Sequence, residues 1–406
     1  MAIPKSFSIF AGIGVFLSAM VVSLWICEGI LWLMGYNPLL YYAGMPNHQY
    51  HHKTFEFNVA YEQNEFGFRT PNVSFEKPRN TYRIVILGDS YTYGLGVEDA
   101  EVYARQLEVR FNTFFKSTSS PRRVQVINLG ISNRAIGDYL AFYQSVGIRY
   151  QPDLTIVSFF EGNDVSDEVS EVLPTGEVLD ETSVYAFIRN SLQGISPRLF
   201  KLIKITKKQW KHKALTEFRA VLPWPEDKLV QYLMASGIDS AYAVKRIKEI
   251  PDAMREDALA NRIYRPAFAR WCAGQQANIV LPDTLTMRRN EKFTAETFGR
   301  LVDLARHNHS DIMLAAIPSP FAVVQKEKLV WAVSSPPETV QEQIRNLVIR
   351  MCKENQTAYI DLKPALKAAD QAGETTHFAY DLHWTARGHR LVADTLFERI
   401  KDRVIN

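Results

Sequence analysis

Five short apolar runs constrain the fold more than any other feature of this sequence. Arg83 to Gly88, Val124 to Gly130, Leu154 to Phe160, Ile312 to Ile317 and Ala358 to Leu362 each have the length of a strand buried on both faces and are too short for a buried helix. Amphipathic stretches lie between them. Val102 to Phe115 has Val102, Leu107, Phe111 and Phe115 apolar at helical intervals, and further helices are expected at about Ile136 to Arg149, Ala295 to Arg306, Thr339 to Lys353 and Ala386 to Lys401. Strand alternating with helix predicts right-handed crossovers and an α/β fold, a parallel sheet covered on both faces. The alternation stops between Ser166 and roughly Thr294, where a charge-richer stretch is expected to form a mostly helical insertion. The resulting organisation is an anchor over 1–35, a lead-in segment over 36–80, core over 81–167, an insertion or cap over 168–294, and core again over 295–406.

With 406 residues the chain can bury a sizeable core, and its net charge of +3 argues against a dedicated nucleic-acid binder. Cys27, Cys272 and Cys352 are too few for a disulfide framework and match no close-spaced metal motif; a Cys272–Cys352 bridge and two unpaired thiols both stay open. Phe7 to Cys27 is a 21-residue run without a charge, ended by Glu28 and long enough to cross a bilayer as a helix. It exceeds the hydrophobic region of a usual signal peptide, and no small-residue cleavage site follows it. Leu24, Trp25 and Ile26 are also too bulky for a lipoprotein site at Cys27. An uncleaved single-pass anchor is therefore expected. Lys5 and the amino terminus are expected to place the N-terminus in the cytoplasm and everything after Glu28 outside. Lys201, Lys204, Lys207, Lys208, Lys211 and Lys213 read as a solvated helix face, with contact to anionic lipid or an acidic glycan as the alternative. The histidines of Asn47 to His52 have no Cys or carboxylate at ligand spacing and read as a solvated loop, and Asn64 to Thr70 as a glycine-centred turn.

Parallel sheets bind ligands beyond the carboxyl ends of their strands. Ser90 lies just past the first strand, Gly130 ends the second, Gly162-Asn163-Asp164 follows the third, and Asp381 and His383 precede the last helix, so all are expected on one edge. Together they suit acyl transfer. A serine hydroxyl is a poor nucleophile until a base such as His383 takes its proton, and Asp381 would fix the imidazole tautomer and stabilise the imidazolium. The backbone N–H groups of Ser90 and Gly130 and the side-chain amide of Asn163 are candidate donors to an oxyanion. Asp89 and Ser90 also suit a helix cap, with Asp89 supporting the turn rather than the chemistry. Gly94-Leu95-Gly96 lacks the third glycine of a dinucleotide site, and His389 reads as structural. No cofactor and no metal is expected.

In that order, Gly88-Asp89-Ser90, Gly130, Gly162-Asn163-Asp164 and the Asp381 to His383 block resemble the four signature blocks of the SGNH (GDSL-type) hydrolase superfamily. The resemblance covers about Thr81 to Asp167 and Ala295 to Arg403 and leaves the insertion unmatched. It implies a flavodoxin-like three-layer α/β/α sandwich, a metal-free serine mechanism, and esterase, lipase, deacetylase or acetyltransferase activity. Ser90 matches the nucleophile, Gly130 and Asn163 the oxyanion donors, and His383 the base. Two positions depart from the common pattern. Asp381-Leu382-His383-Trp384 leaves one residue between Asp and His where two are usual, a D-x-H-W form similar to that of bacterial enzymes that O-acetylate exopolysaccharides and of related membrane-anchored hydrolases. Asn133 stands where a second glycine often follows the second block. The leading expectation is a membrane-anchored extracytoplasmic serine esterase, facing the periplasm from a bacterial inner membrane as the resemblance implies, that removes acyl groups, acetyl first among them, from a carbohydrate or lipid. O-acetyl transfer to an envelope polysaccharide is one alternative. The other is an inactive domain serving a membrane complex, with the insertion docking an envelope protein; degenerate relatives would be expected to lose Ser, Asn or His, and none is lost here.

Overall fold

A computed structural model describes residues 5–33, 47–53, 56–166, 196, 199, 202–203, 240–248, 284–325, 328, 338–379 and 381–405. The chain divides into two units, Met1–Tyr41 with Glu171–Val221, and Tyr42–Ser170 with Leu222–Asn406. Most of the insertion expected over 168–294, including Cys272 and the lysine cluster, lies outside the described residues.

In the first unit a 29-residue helix, α1 (Lys5–Leu33), takes up the apolar N-terminal run. Val15, Phe16, Trp25, Trp32 and Leu33 on it are 63 to 78% exposed. Among the described residues no helix is long and apolar enough to cross a membrane. Near the end of α1 the Glu28 carboxylate accepts from the Ser196 hydroxyl at 2.9 Å and the Leu199 N–H at 3.3 Å.

The second unit opens with an antiparallel hairpin, β1 (Gln49–Lys53) and β2 (Asn58–Glu62). Its core then runs through β3 (Thr81–Gly88), the one-turn helix α2 (Ser90–Tyr93), α3 (Tyr103–Ser117), β4 (Arg123–Gly130), α4 (Ile136–Ser145) and β5 (Leu154–Phe160). After α5 (Ser240–Lys248) it continues through α6 (Thr284–His307), β6 (Asp311–Ile317), α7 (Glu338–Glu354), β7 (Ala358–Asp361), α8 (Lys363–Gln371) and α9 (Ala386–Ile405). The five-stranded sheet has the order β4-β3-β5-β6-β7, and every neighbouring pair is parallel. Because β4 lies on one side of β3 and the rest of the sheet on the other, strand order reverses at β3, which is where such sheets open a crevice.

Side-chain alternation splits the strands between two layers of helix. Ile84, Ile86, Val126, Ile156 and Met313 face a cluster with Leu107 and Phe111 of α3 and Leu396 and Ile400 of α9. The residues between them, among them Val85, Leu87, Val157 and Leu314, are equally buried, and α4, α6 and α7 contact β3, β6 and β7. Several elements differ from the sequence expectation. α4 stops at Ser145 and a 3-10 turn over Gly147–Tyr150 replaces its expected last turn. α6 starts at Thr284, earlier than expected, because Thr284 to Thr294 is too polar to show an apolar face. α8, with Pro364 in its first turn, buries only Leu366, Ala369 and Asp370 and was not anticipated. Asn47 to His52, expected as a loop, enters β1: Tyr50 pairs with Tyr61, and His52 packs on Phe57 with ring centroids 5.1 Å apart.

At the end of the sheet away from the crevice, Arg83 is fully buried at the start of β3. Its five N–H groups reach Gln125 Oε1 and the carbonyls of Phe75, Tyr150, Ser74 and Glu76 at 2.7 to 2.9 Å. Such a cation is tolerated because each donor is satisfied. Replacing Arg83 with Met would leave these acceptors without partners, so urea unfolding is expected to show a loss of about 3 kcal/mol or more.

Candidate active site

The crevice is built first by the turn that follows β3. Asp89 caps α2, its carboxylate accepting the Tyr91 N–H at 2.9 Å, so Ser90 opens the helix with an N–H that has no carbonyl partner within it. Gly94 closes the helix at φ +80°, a left-handed conformation suited to glycine. Gly130 at the end of β4 lets this turn approach: a Cβ there would lie 2.5 Å from the Tyr93 nitrogen and 2.6 Å from the Thr92 carbonyl carbon.

A second loop, between α8 and α9, comes from almost the other end of the chain. His377 and Trp384 form an isolated antiparallel bridge, the Phe378 N–H donates to the His383 carbonyl at 2.9 Å, and the Leu382 N–H donates to the Phe378 carbonyl at 3.2 Å. Leu382 itself sits at φ +72°, in the left-handed region that a leucine rarely adopts. The Tyr91 hydroxyl donates to its carbonyl at 2.9 Å. With that conformation between them, Asp381 and His383 present side chains that meet.

The result is a continuous hydrogen-bonded line. His383 Nε2 lies 2.7 Å from Ser90 Oγ, and His383 Nδ1 lies 2.6 Å from Asp381 Oδ1. A carboxylate on Nδ1 selects the tautomer that carries its proton there, leaving Nε2 as the acceptor of the serine proton. Asp89 Oδ2 is a competing acceptor for Ser90 at 3.5 Å, too long to rival the imidazole. The Asp381 side chain is 1% exposed and that of His383 18%, so the acid is sealed while the base meets solvent. Tyr91 backs the imidazole with ring centroids 4.8 Å apart, and packs on Trp384 and Phe160 at 4.7 Å each.

The expected oxyanion donors differ in availability. Asn163 follows β5 in a turn built by its neighbour: the buried Asp164 carboxylate accepts from the Phe160 N–H at 2.8 Å and from the Tyr139 hydroxyl at 2.8 and 3.0 Å. Asn163 Oδ1 is buried with no hydrogen-bond partner among the described residues. The Gly130 N–H donates instead to Asn128 Oδ1 at 2.8 Å, and the Asn128 amide is fixed by donating to the Thr92 carbonyl at 2.7 Å. A substrate oxygen reaches the Gly130 N–H only by sharing it with Asn128 or displacing it. Asn133, in the loop after β4, has φ +60°, a left-handed conformation that asparagine tolerates.

Burial shapes the charges around the line. Asp89 is raised from 3.8 to about 6, first by burial, against which the positive potential of His383 and the N–H groups it accepts work. Asp164 is pushed well up by burial and by repulsion from Asp89. Glu161, beside the Asn163 turn, is raised to about 7 by burial, while its ion pair with Arg345 at 3.3 Å works the other way. His377 and His389 are pushed down to about 3 by burial, and His389 Nδ1 accepts the Tyr103 N–H at 3.3 Å, in keeping with a structural residue.

Several contributors had no sequence signal. The Arg69 guanidinium, 2% exposed, donates to the carbonyls of Tyr93, Gly94 and Val97, which follow or end α2, and lies 4.5 Å over the Tyr61 ring. Glu56 accepts the Asp381 N–H at 2.8 Å. Nothing in the spacing of these residues announces contacts made across so much chain. Among the described residues no group of His, Cys, Asp and Glu could hold a metal ion. A polar groove lined by Glu291, Thr339, Glu342, Gln343, Asn346 and Arg350 shares no residue with the line.

The folded value of Asp89 lies above its unfolded one, so the stability it contributes is present below about pH 4 and lost as pH climbs through about 6. Asp89→Asn keeps an acceptor for the Tyr91 N–H and removes the titration. Between about pH 4 and pH 7.5 the wild type is expected to lose about 2 kcal/mol relative to this variant in urea unfolding, and equal pH slopes would contradict the assignment.

No family model and no curated protein matches the sequence. Solved structures do resemble the chain. An acetyl xylan esterase, AlAXEase, shares 11% identity over 78% of this chain and 99% of its own, with a TM-score of 0.37. The acetylxylan esterase Axe2 of Geobacillus stearothermophilus shares 12% over 79% and 94%, with a TM-score of 0.38. A putative acylhydrolase from Bacteroides fragilis shares 13% over 82% and 92%, with a TM-score of 0.35. These likenesses are faint, and what this chain does is read from its own geometry.

Proposed function

We propose that the chain is a serine esterase of the SGNH type that removes acyl groups from a carbohydrate or lipid. The observation that carries this reading is the unbroken Ser90–His383–Asp381 line at the crevice of the parallel sheet. Ser90 Oγ attacks the acyl carbonyl as its proton passes to His383 Nε2, and Asp381 stabilises the imidazolium. The Ser90 N–H and the Asn163 amide receive the oxyanion. Collapse of the tetrahedral intermediate breaks the ester bond, the departing alkoxide takes the proton from Nε2, and water repeats the sequence to release the acid and free Ser90.

A fluorophosphonate probe tests this directly, since it captures an activated serine without a known substrate. Labelling of the wild type and none of Ser90→Ala is expected, and an unlabelled, folded wild type would overturn the reading. Asn163→Ala is expected to slow ester turnover about 100- to 1000-fold, the usual range for loss of one oxyanion donor.

The single residue between Asp381 and His383 favours a second reading, O-acetyl transfer, in which a sugar hydroxyl replaces water in the second step. An acetyl donor supplied with and without an oligosaccharide acceptor separates the two: acetylated sugar supports transfer, and free acetate alone under both conditions rules it out. We also place the chain in a membrane through Phe7 to Cys27, with the site on the extracytoplasmic side. The 21 residues without a charge from Phe7 to Cys27 are the support for this placement. A C-terminal reporter that works only outside the cytoplasm checks the orientation.

A further inference from the structure

We propose that the lead-in hairpin is a brace between the two halves of the site, and that Glu56 is the positioning residue by which it holds Asp381. This rests on the serine-hydrolase reading above and extends it to a segment that precedes the α/β core. Ser90 and His383 stand on loops 293 residues apart in the chain. The hairpin and the turn after it touch both. On the nucleophile side the Tyr61 hydroxyl accepts the Gly96 N–H at 2.8 Å, the hydroxyls of Tyr50 and Tyr93 lie 2.8 Å apart, and Arg69 donates to Gly94 O at 2.5 Å and Val97 O at 2.6 Å. On the acid-base side Phe57 packs on Phe378 with ring centroids 5.2 Å apart, and Glu56 Oε2 accepts the Asp381 N–H at 2.8 Å.

The Asp381 carboxylate explains why the hold on its backbone matters. Its Oδ1 meets His383, and its Oδ2 is buried with no hydrogen-bond partner among the described residues. Side-chain bonds other than the one it must make therefore do not orient it. Orientation has to come from the backbone, and the next residue, Leu382, is in a left-handed conformation that tends to relax. Glu56 fixes the peptide N–H on one side of that residue and Tyr91 the carbonyl on the other. A carboxylate accepting a backbone N–H is among the stronger hydrogen bonds available for such a hold.

The test uses the full chain in detergent and two readouts: the rate of fluorophosphonate labelling, and the low-field proton resonance of His383 Nδ1–H, assigned by its loss in His383→Gln. Glu56→Ala is expected to slow labelling about 10- to 100-fold, the cost of a small misplacement at a reacting centre, and to shift or broaden the resonance. Glu56→Gln, which keeps an acceptor oxygen at the same reach, is expected to recover most of that loss. Glu56→Asp keeps the charge but falls short of the N–H; it should behave like Glu56→Ala and takes its place if that variant does not fold. Wild-type labelling rates in Glu56→Ala or Glu56→Asp, an unmoved resonance in either, or a Glu56→Gln as slow as Glu56→Ala would each overturn the proposal. If the wild type itself takes no label, the serine-hydrolase reading has failed, and the resonance alone still reports whether Glu56 holds Asp381.

Discussion

The left-handed backbone at Leu382 is the constraint on which the site depends. An acid and a base separated by one residue need a particular backbone path if the acid is to bond the base while the base faces a distant serine. At φ +72° that path is made, at a cost of order 1–3 kcal/mol for a residue other than glycine. The surrounding contacts hold it: Phe378 bonds both Leu382 and His383, Tyr91 bonds the Leu382 carbonyl, and Trp384 is fully buried against Tyr91. Tyr91 stands next to the nucleophile, so the side chain that steadies the base belongs to the helix that presents the serine.

Buried polar groups are satisfied to different degrees across the sheet. At the closed end Arg83 satisfies every one of its donors. At the crevice, Asp381 Oδ2, Asn163 Oδ1, His377 Nε2, His389 Nε2 and Trp384 Nε1 are buried without protein partners among the described residues. Unsatisfied groups of this kind are costly and uncommon, and others lie elsewhere, at Asn64, Arg69, Arg134, Tyr143, Thr294 and Tyr359.

Much of the fold was legible because it follows from local pattern. Leu154 to Phe160 is buried at all seven positions, and such a strand appears in sequence as a plain apolar run. Short helices that bury few residues, such as α8, or whose first turns lie beyond the core, such as α6, leave no such trace. The hairpin is hidden for a related reason, since in β1 Tyr50 and His52 stand opposite the buried Tyr61 and Val59, at positions that usually show as β-branched residues. In the site, Ser90, His383 and Asp381 could be read from strand ends and residue chemistry. Glu56, Arg69 and the engagement of Gly130 by Asn128 could not, because each depends on where the backbone of a remote segment passes.

The packing of α9 on α3 also bears on when the Ser90–His383–Asp381 line is completed. His383 reaches Ser90 only because the helix that follows it docks against the helix that follows the nucleophile, a contact between segments nearly 300 residues apart. Contacts so remote in sequence close late, after the local elements have formed. A growing chain thus carries Ser90 before it carries His383. The Ser90–His383 contact therefore forms only once α9 has been made and folded back onto α3.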